Sequence, residues 1–482
     1  MNTTHGLLAT ARYVPRLRLE RSAILAQHQW MAPGLRGLAK GQRAMASWDE
    51  DAVTMAVEVA RRARQALPAD LPIAELTLAS TTLPFADRLN AGIVASAVGV
   101  DEGARLRDVA SSARSGLTEL AAALATGRDE ASLLIASERR VARPASAQEM
   151  IQGDGSAAAV VGAGRCIAEL VAHRSVNADL VDHFRETGRS GDYGWEERWV
   201  RDEGYMKIAL GAIRQCLAAA GVSAADVSHF AMPASLPKVN DALAKKLGLA
   251  PTAVVSAEHE AVGDRGTAQP LAMLDIALRA AQPGALILVA AFGSGCDALL
   301  LRRTDAPCPG DAPAPGKSET SYLKYLSFTN QIELEWGMRA EMDNKTALTA
   351  AWRDHERAAR FEGGRCPRCG TVQFPRTGVC VNPECRTQDP QQPVSLAEAR
   401  AKVLSHTSDF LAYTPHPPFQ FGHVDFDEGA RVLMEFADAD AGELAVGMPL
   451  AMVYRIKDFD RLRGFRRYFW KATPVRQHQE GH

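Results

Sequence analysis

Four cysteines within twenty residues carry the strongest chemical signal in the chain. They read Cys366-Pro-Arg-Cys369 and, ten residues on, Cys380-Val-Asn-Pro-Glu-Cys385. Two such knuckles place four thiolates tetrahedrally around one zinc ion. Gly370 permits the tight turn that the first knuckle needs, and the second knuckle, with four residues between its cysteines, is wide but within range. Four cysteine ligands leave no open coordination position, so Cys366, Cys369, Cys380 and Cys385 are expected to hold structural rather than catalytic zinc. The other cysteines, Cys166, Cys216, Cys296 and Cys308, are scattered, and for such residues a buried, inert thiol is the default.

The elements that must position reactive groups lie mostly upstream. Asp49 to Leu67 spaces its apolar residues as a helix does. Ala74 to Ala79 is a short apolar strand running into Ser80-Thr81-Thr82. Helices are expected over Ala91 to Val98 and Arg114 to Thr126. Strands are expected over Ser132 to Ser137 and, after the turn Gly153-Asp154-Gly155, over Ala157 to Val161. The pattern then begins again. Helix Met206 to Ala220 is ended by Gly221, strand His229 to Met232 follows, and helix Lys238 to Leu247 is ended by Gly248. Helix Ala268 to Ala280 and buried strand Ala285 to Ala291 complete it. This alternation predicts an α/β layered fold over residues 1–303, its second half repeating the element order of the first.

Residues 304–320 are rich in Pro and Gly and read as a linker. Beyond it aromatic residues become common and alanine less so. A helical segment is expected over 321–362 and a zinc ribbon over 363–392. The β-like runs from Ala401, Arg431 and Leu450 suit a small barrel over 393–482. A length of 482 residues fits two or three domains. The 55 Lys+Arg against 57 Asp+Glu exclude a basic nucleic-acid-coating protein and an acidic solvating tail. No apolar run approaches the ~18 residues needed to span a bilayer, and the first residues lack a secretion signal. No membrane association is therefore expected and the cytoplasm is the expected compartment, where clustered cysteines point to metal before disulfides.

Several motifs together resemble one family. The run Gly284-Ala-Leu-Ile-Leu-Val-Ala-Ala-Phe-Gly-Ser-Gly-Cys-Asp-Ala-Leu-Leu-Leu-Arg302 resembles the closing strand and glycine turn of the ketoacyl synthase III and hydroxymethylglutaryl-CoA synthase branch of the thiolase superfamily. Gly153-Asp-Gly-Ser-Ala-Ala-Ala-Val-Val-Gly162 resembles its first-half counterpart, and Ala244-Lys-Lys-Leu-Gly-Leu249 and Gly263-Asp-Arg-Gly-Thr-Ala268 also fit. The resemblance covers roughly residues 5–303 and implies a thiolase fold, two similar α/β halves forming a five-layer core. Residues 321–478 look like the zinc-ribbon and OB-fold domain that accompanies thiolase-like enzymes acting on acyl-CoA. In archaeal complexes such a domain bridges a thiolase and a hydroxymethylglutaryl-CoA synthase and helps bind CoA.

The family's chemistry needs a cysteine that accepts an acyl group, a histidine, and in the hydroxymethylglutaryl-CoA synthases a glutamate general acid/base. In the segment Asp108-Val-Ala-Ser-Ser-Ala113-Arg114-Ser115-Gly116 the resemblance puts Ala113 at the cysteine position. It puts Pro233 at the histidine, or Ala234 after a shift of one residue. Thr81 falls at the glutamate, and Asp264 at the asparagine of ketoacyl synthase III. Substitute nucleophiles are Ser112, reached by a one-residue register shift, and Cys296 in the closing glycine turn. His259, five residues before Asp264, offers a His–Asp pair or simply a polar loop, and His229 reads as a half-buried strand residue. The turn glycines remain while the reactive atoms are gone. In this the chain resembles the cysteine-less synthase-like subunit of the bacterial phloroglucinol-acetylating complex.

The segment Gly191 to Tyr205 is aromatic and charged and suits an acyl pocket or, preferably, a subunit interface. The basic aromatic stretch Arg461 to Lys471 is placed to meet CoA phosphates; nucleic acid, the other OB-fold ligand, suits the neutral chain less. The leading expectation is an assisting subunit, its OB domain positioning an acyl-CoA for a thiolase-like partner that holds the reactive cysteine. A hetero-oligomer built on a thiolase-fold dimer follows from it. The alternatives are a self-contained condensing enzyme with an unusual nucleophile, and a scaffold with no CoA contact.

Overall fold

The computed structural model describes residues 4–68, 70–309, 313–335, 347–353, 355–460 and 463–476. Parts of the expected linker, helical segment and basic stretch, including Arg461 and Leu462, and the last six residues of the expected barrel lie outside the described residues. Contacts divide the chain into two units. The first is Met1–Ser47, Asp51–Ala95 and Val100–Tyr325; the second is Leu326–His482 with Trp48–Glu50 and Ser96–Gly99.

Two half-sheets of like order build the first unit. In one, strand Thr4–Tyr13 pairs antiparallel with Gly155–Gly164, which pairs antiparallel with Ala131–Glu138. Strand Ile73–Ala79 lies parallel to that strand, and Arg105–Val109 parallel to Ile73–Ala79. The other half repeats the order. Ala168–Asn177 pairs antiparallel with Gly295–Arg303, then Leu286–Phe292 antiparallel, then Val227–Ala231 parallel. A parallel bridge from Phe230 to Val254 stands where a fifth strand would be. The halves join through the single pairing of Leu7 with Ala168.

Helices Ser115–Thr126 and Gln269–Ala280 fill the space between the half-sheets. Leu117, Leu120 and Leu124 of one helix share a buried cluster with Leu271, Leu274 and Leu278 of the other, and with Leu134, Val161, Ile287 and Leu299 of the strands. A helix buried on every side needs apolar residues all round, which is how both segments read. Outside lie helix Ala52–Gln65, opened by an Asp51–Thr54 capping box, and helix Leu210–Ala220. Helix, sheet, helix pair, sheet and helix make the five layers.

Glycines mark the closest approaches. A Cβ on Gly116 would sit 2.7 Å from the Thr267 carbonyl, where the two central helices begin. Strands Thr4–Tyr13, Arg105–Val109 and Ala168–Asn177 depart from the sequence expectation. Arg-Leu-Arg-Asp-Val is a half-exposed edge strand with no apolar face to read. Within the expected linker, Lys317–Glu319 pairs parallel with Leu17–Glu20.

In the second unit helices Leu348–Arg353 and His355–Arg360 lead into strands Glu362–Arg365, Val372–Gln373 and Gln392–Ser395, a three-stranded ribbon. A barrel follows. Strand Phe419–Phe426 pairs with Thr407–Asp409, Ala401–Val403 and Arg431–Glu435. Ala401–Val403 continues to Pro449–Asp460 and Phe465–Pro474. The Phe436–Ala472 bridge closes the wall, removing a free edge. Phe361 packs edge-on against Phe374, Phe426 and Phe469 at the junction of ribbon and barrel. Among the described residues no helix is long and apolar enough to cross a membrane.

The packing at Gly116 predicts that Gly116→Val costs about 1–3 kcal/mol, an overpacking penalty, seen as a lowered thermal unfolding midpoint. Gly211→Ala, on a helix surface with nothing within 4 Å of the new Cβ, should instead raise it, by about 0.5–1 kcal/mol.

Candidate functional site

A cavity of about 190 Å³ opens in the first unit at the strand ends where both halves turn into their central helices. Ala113, Pro233 and Asp264 all line it. Three positions 150 residues apart in sequence thus meet at one wall, as the resemblance implies. Thr81 does not line the cavity but is tied to it. Its amide and hydroxyl both donate to Glu138 Oε1, each at 2.9 Å, and its carbonyl accepts from Arg185. Thr82 and Thr267 also donate to the buried Glu138 carboxylate, at 2.7 and 2.9 Å. No carboxylate stands at position 81, and the nearby one is fully engaged by hydroxyls.

The substitute nucleophiles are placed differently. Ser112 is half-buried next to Ala113, its backbone bonded to the Ser115 hydroxyl. Cys296 is fully buried, and its Sγ donates to the Asp297 carbonyl at 3.5 Å. Burial, reinforced by the Asp297 charge, pushes its thiol far above the ordinary cysteine range. Burial likewise raises Cys166 and Cys216, each to about 11. His229 is half-buried on its strand, and burial lowers its pKa. His259 carries a buried Nε2 with no hydrogen-bond partner; burial lowers its pKa against the opposing charge of Asp264. Neither histidine lines the cavity.

Arg114, one residue past the cysteine position, staples the helix start to the closing glycine turn. Its guanidinium donates to the Gly293 carbonyl at 2.9 Å, to Asp297 at 3.0 Å and to Asn177 at 2.7 Å. The backbone at Ala113 is therefore held although its side chain has no reactive atom.

The sequence reading missed the polar side of the cavity. Asp192 accepts from Arg185 at 2.7 Å, from Arg140 at 3.1 Å and from Gln152 at 3.0 Å. Burial opposes the Asp192 charge, but Arg140 and Arg185 outweigh it and hold the carboxyl below its usual value. Arg140 also faces Asp264 at 3.6 Å. The buried Asp154 of the Gly153-Asp-Gly turn accepts from the Ala46 and Arg140 amides, both at 2.7 Å, so that turn is structural. Gln152 Oε1 is buried with no hydrogen-bond partner.

Asp182 and His183 line the same cavity, with Asp182 Oδ2 2.8 Å from His183 Nδ1. Burial lowers the imidazole pKa, but the hydrogen bond and charge of Asp182 prevail and raise it above the ordinary value. The segment Gly191 to Tyr205 contributes Asp192, Trp195 and Glu197, then Val200 and Tyr205 from a π-helical stretch over Val200–Ala209. Of its two expected roles, this placement fits the pocket. Only a His beside an Asp in an irregular segment signalled the dyad.

In the second unit the four cysteine Sγ atoms lie within 4.8 Å of one another. Cys366 and Cys385 are 3.8 Å apart, Cys369 and Cys380 3.6 Å. Sulfurs bound tetrahedrally at ~2.3 Å stand about 3.8 Å apart, so the donor set fits zinc. The first knuckle closes through Gly370 N to Cys366 O at 3.0 Å, with Gly370 in the left-handed region, and the second through Cys385 N to Asn382 O at 3.0 Å. The basic stretch is less free than expected for a phosphate site. Arg463 and Arg467 pair with Asp460 and Asp458, and Lys471 is buried against Glu435 at 3.1 Å.

Residues 217–302 match the C-terminal domain of 3-oxoacyl-[acyl-carrier-protein] synthase III. Residues 353–391 match the rubredoxin-like zinc ribbon of ChsH2, and 394–455 its C-terminal OB-fold domain. The hydroxymethylglutaryl-CoA synthase of Methanothermobacter thermautotrophicus is 27% identical over 357 residues, covering 68% of this chain and 99% of that protein. A DUF35 domain-containing scaffold protein of Methanocaldococcus jannaschii is 27% identical over 131 residues, 27% of this chain and 91% of its own length. The solved structure of MvaS in complex with 3-hydroxy-3-methylglutaryl coenzyme A superposes with a TM-score of 0.53 at 19% identity, covering 64% of this chain and 85% of that one. The chain is thus a thiolase-fold module with hydroxymethylglutaryl-CoA synthase homologues, fused to a zinc ribbon and an OB-fold domain.

The thiolate geometry predicts one zinc per chain by plasma mass spectrometry. Cys380→Ser should lose it and open the short-stranded ribbon to protease, because ribbons this small depend on their metal to fold. Iodoacetamide should leave Cys296 and Cys216 unmodified in the folded protein.

Proposed function

We propose that the chain is an assisting subunit of an acyl-CoA C-acyltransferase of thiolase type. It binds a CoA thioester for a thiolase-like partner chain that carries the acylated cysteine. The observation that carries this reading is the wall formed by Ala113 and Pro233. The cavity where a condensing enzyme needs a thiol and an imidazole presents a methyl group and a pyrrolidine ring there. Every other cysteine of the first unit but the half-buried Cys308 is buried.

CoA is the ligand class that the relatives support, since the homologues are hydroxymethylglutaryl-CoA synthases and one neighbour is solved with such a thioester bound. Binding on this chain lets the partner spend its cysteine on an oriented substrate, where proximity replaces a bimolecular encounter. A hetero-oligomer with the partner, built on a thiolase-fold dimer, is the assembly this reading calls for, and the cytoplasm its compartment. The DUF35 relative described as a scaffold protein favours a second reading, in which the chain supports its partner without touching CoA.

The test is intact-protein mass spectrometry with acetyl-CoA and acetoacetyl-CoA, beside equilibrium binding of both. The expected result is thioester binding, no acyl adduct, and carbon–carbon bond chemistry only after a thiolase-like chain is added. A stoichiometric adduct on Ser112 or Cys296 would overturn the reading in favour of a self-contained enzyme. Failure to bind either thioester would leave the scaffold.

A further inference from the structure

The cavity lacks a nucleophile, but it does not lack a base. His183 lines it with Nδ1 held 2.8 Å from Asp182, which leaves Nε2 for a bound molecule. An imidazole oriented by a carboxylate is the arrangement that general-base catalysis uses. The side chains of Gln148 and Ser235 stand on the same wall and offer hydrogen-bond donors to a carbonyl oxygen. Ala113 leaves room where a cysteine would stand. The fold supplies the alignment: Asp182 and His183 are fixed in an otherwise irregular segment through Arg185, which reaches both Asp192 and the Thr81 carbonyl.

We infer that His183 is a catalytic base that removes a proton from the carbon next to the thioester carbonyl of an acyl-CoA bound in this cavity, with Asp182 as its positioning residue. The inference rests on the acyl-CoA reading above. In the step, the Cα–H bond breaks and its proton passes to His183 Nε2. The bonding pair moves onto the thioester oxygen, giving an enolate, and the reverse transfer restores the thioester. No oxidant, reductant or second substrate is consumed. In deuterated water the imidazolium exchanges its proton with solvent, so the reverse transfer writes deuterium into the α-carbon.

The chain would thus prepare the carbon nucleophile, while a partner's cysteine holds the acyl group that the nucleophile attacks. Charged and titratable groups around His183 set its working range. Asp182 and Arg185 come from its own segment, and Asp192, Glu197 and Tyr205 from the next. Arg140 follows strand Ala131–Glu138, and Asp264 comes from the loop before helix Gln269–Ala280. The raised imidazole pKa places the acid limb of exchange above the ordinary histidine value. Exchange falls as pH drops through that point, because only neutral imidazole accepts the proton.

The experiment incubates the full zinc-loaded chain with acetyl-CoA in deuterated buffer and follows α-deuteration by mass spectrometry, with acetyl-CoA binding measured on the same samples. The expected result is exchange above buffer that His183→Gln lowers at least tenfold without abolishing binding. Imidazole added to His183→Ala should restore part of it, which a merely structural histidine would not allow. Asp182→Asn should move the acid limb to lower pH, and His229→Gln, away from the cavity, should change nothing. Binding without exchange, or equal exchange in wild type and His183→Gln, would overturn the inference and leave the acyl-CoA reading standing. Absence of binding would overturn both.

Discussion

The candidate site depends on one buried carboxylate. Asp192 is taken out of water and has to be repaid in charge and hydrogen bonds, because an unpaired buried anion is among the costliest features a fold can carry. Arg140, Arg185 and Gln152 supply them. These partners come from the end of a core strand, from an irregular segment and from the glycine turn region. Satisfying Asp192 therefore fixes three otherwise independent pieces of chain against one another. His183 stands between Asp182 and that network, and Asp264 is held against Arg140. Removing either arginine would leave a buried charge, so the wall stands or falls as a unit.

Much of this architecture was legible before the structure. The two halves showed because their central helices and inner strands are apolar on every face, a pattern that survives without any contact information. The zinc ribbon showed because ligand spacing is a local property. The edge strands did not show, since Arg105–Val109 and most of Ala168–Asn177 carry polar residues on faces that water reaches. The site was half legible. Positions 113, 233 and 264 were placed by resemblance, and the fold brings them to one wall. Asp182, His183 and Asp192 were out of reach, because their meaning lies in pairings with Arg140 and Gln152, thirty to fifty residues away, in a stretch without periodicity.

The first unit keeps structure and reactivity separate. Gly116, the Arg114 staple and the Asp154 turn maintain close backbone approaches and buried hydrogen bonds, each of which the fold needs whatever the chemistry. Ala113 and Pro233 sit among them as residues of small or fixed shape that remove reactive atoms without disturbing packing. A larger apolar residue at position 113 would have filled part of the cavity and gained burial. An alanine there leaves the space available and its polar lining costly, which makes sense for a wall that still receives a ligand.

Loss of the thiol also changes what the histidine can do. A cysteine beside an imidazole transfers its proton readily, giving a thiolate–imidazolium pair in which the ring is already protonated. Such a ring serves as an acid but cannot accept a proton from carbon. With Ala113 on the shared wall, no thiol competes for His183, and the hydrogen bond from Asp182 raises its basicity without a counter-proton being supplied. Acyl transfer and carbanion formation ask opposite protonation states of the same kind of group. Placing the thiol on one chain and the neutral imidazole on another resolves that conflict, and it gives a chemical reason for a synthase fold to persist after its nucleophile has gone.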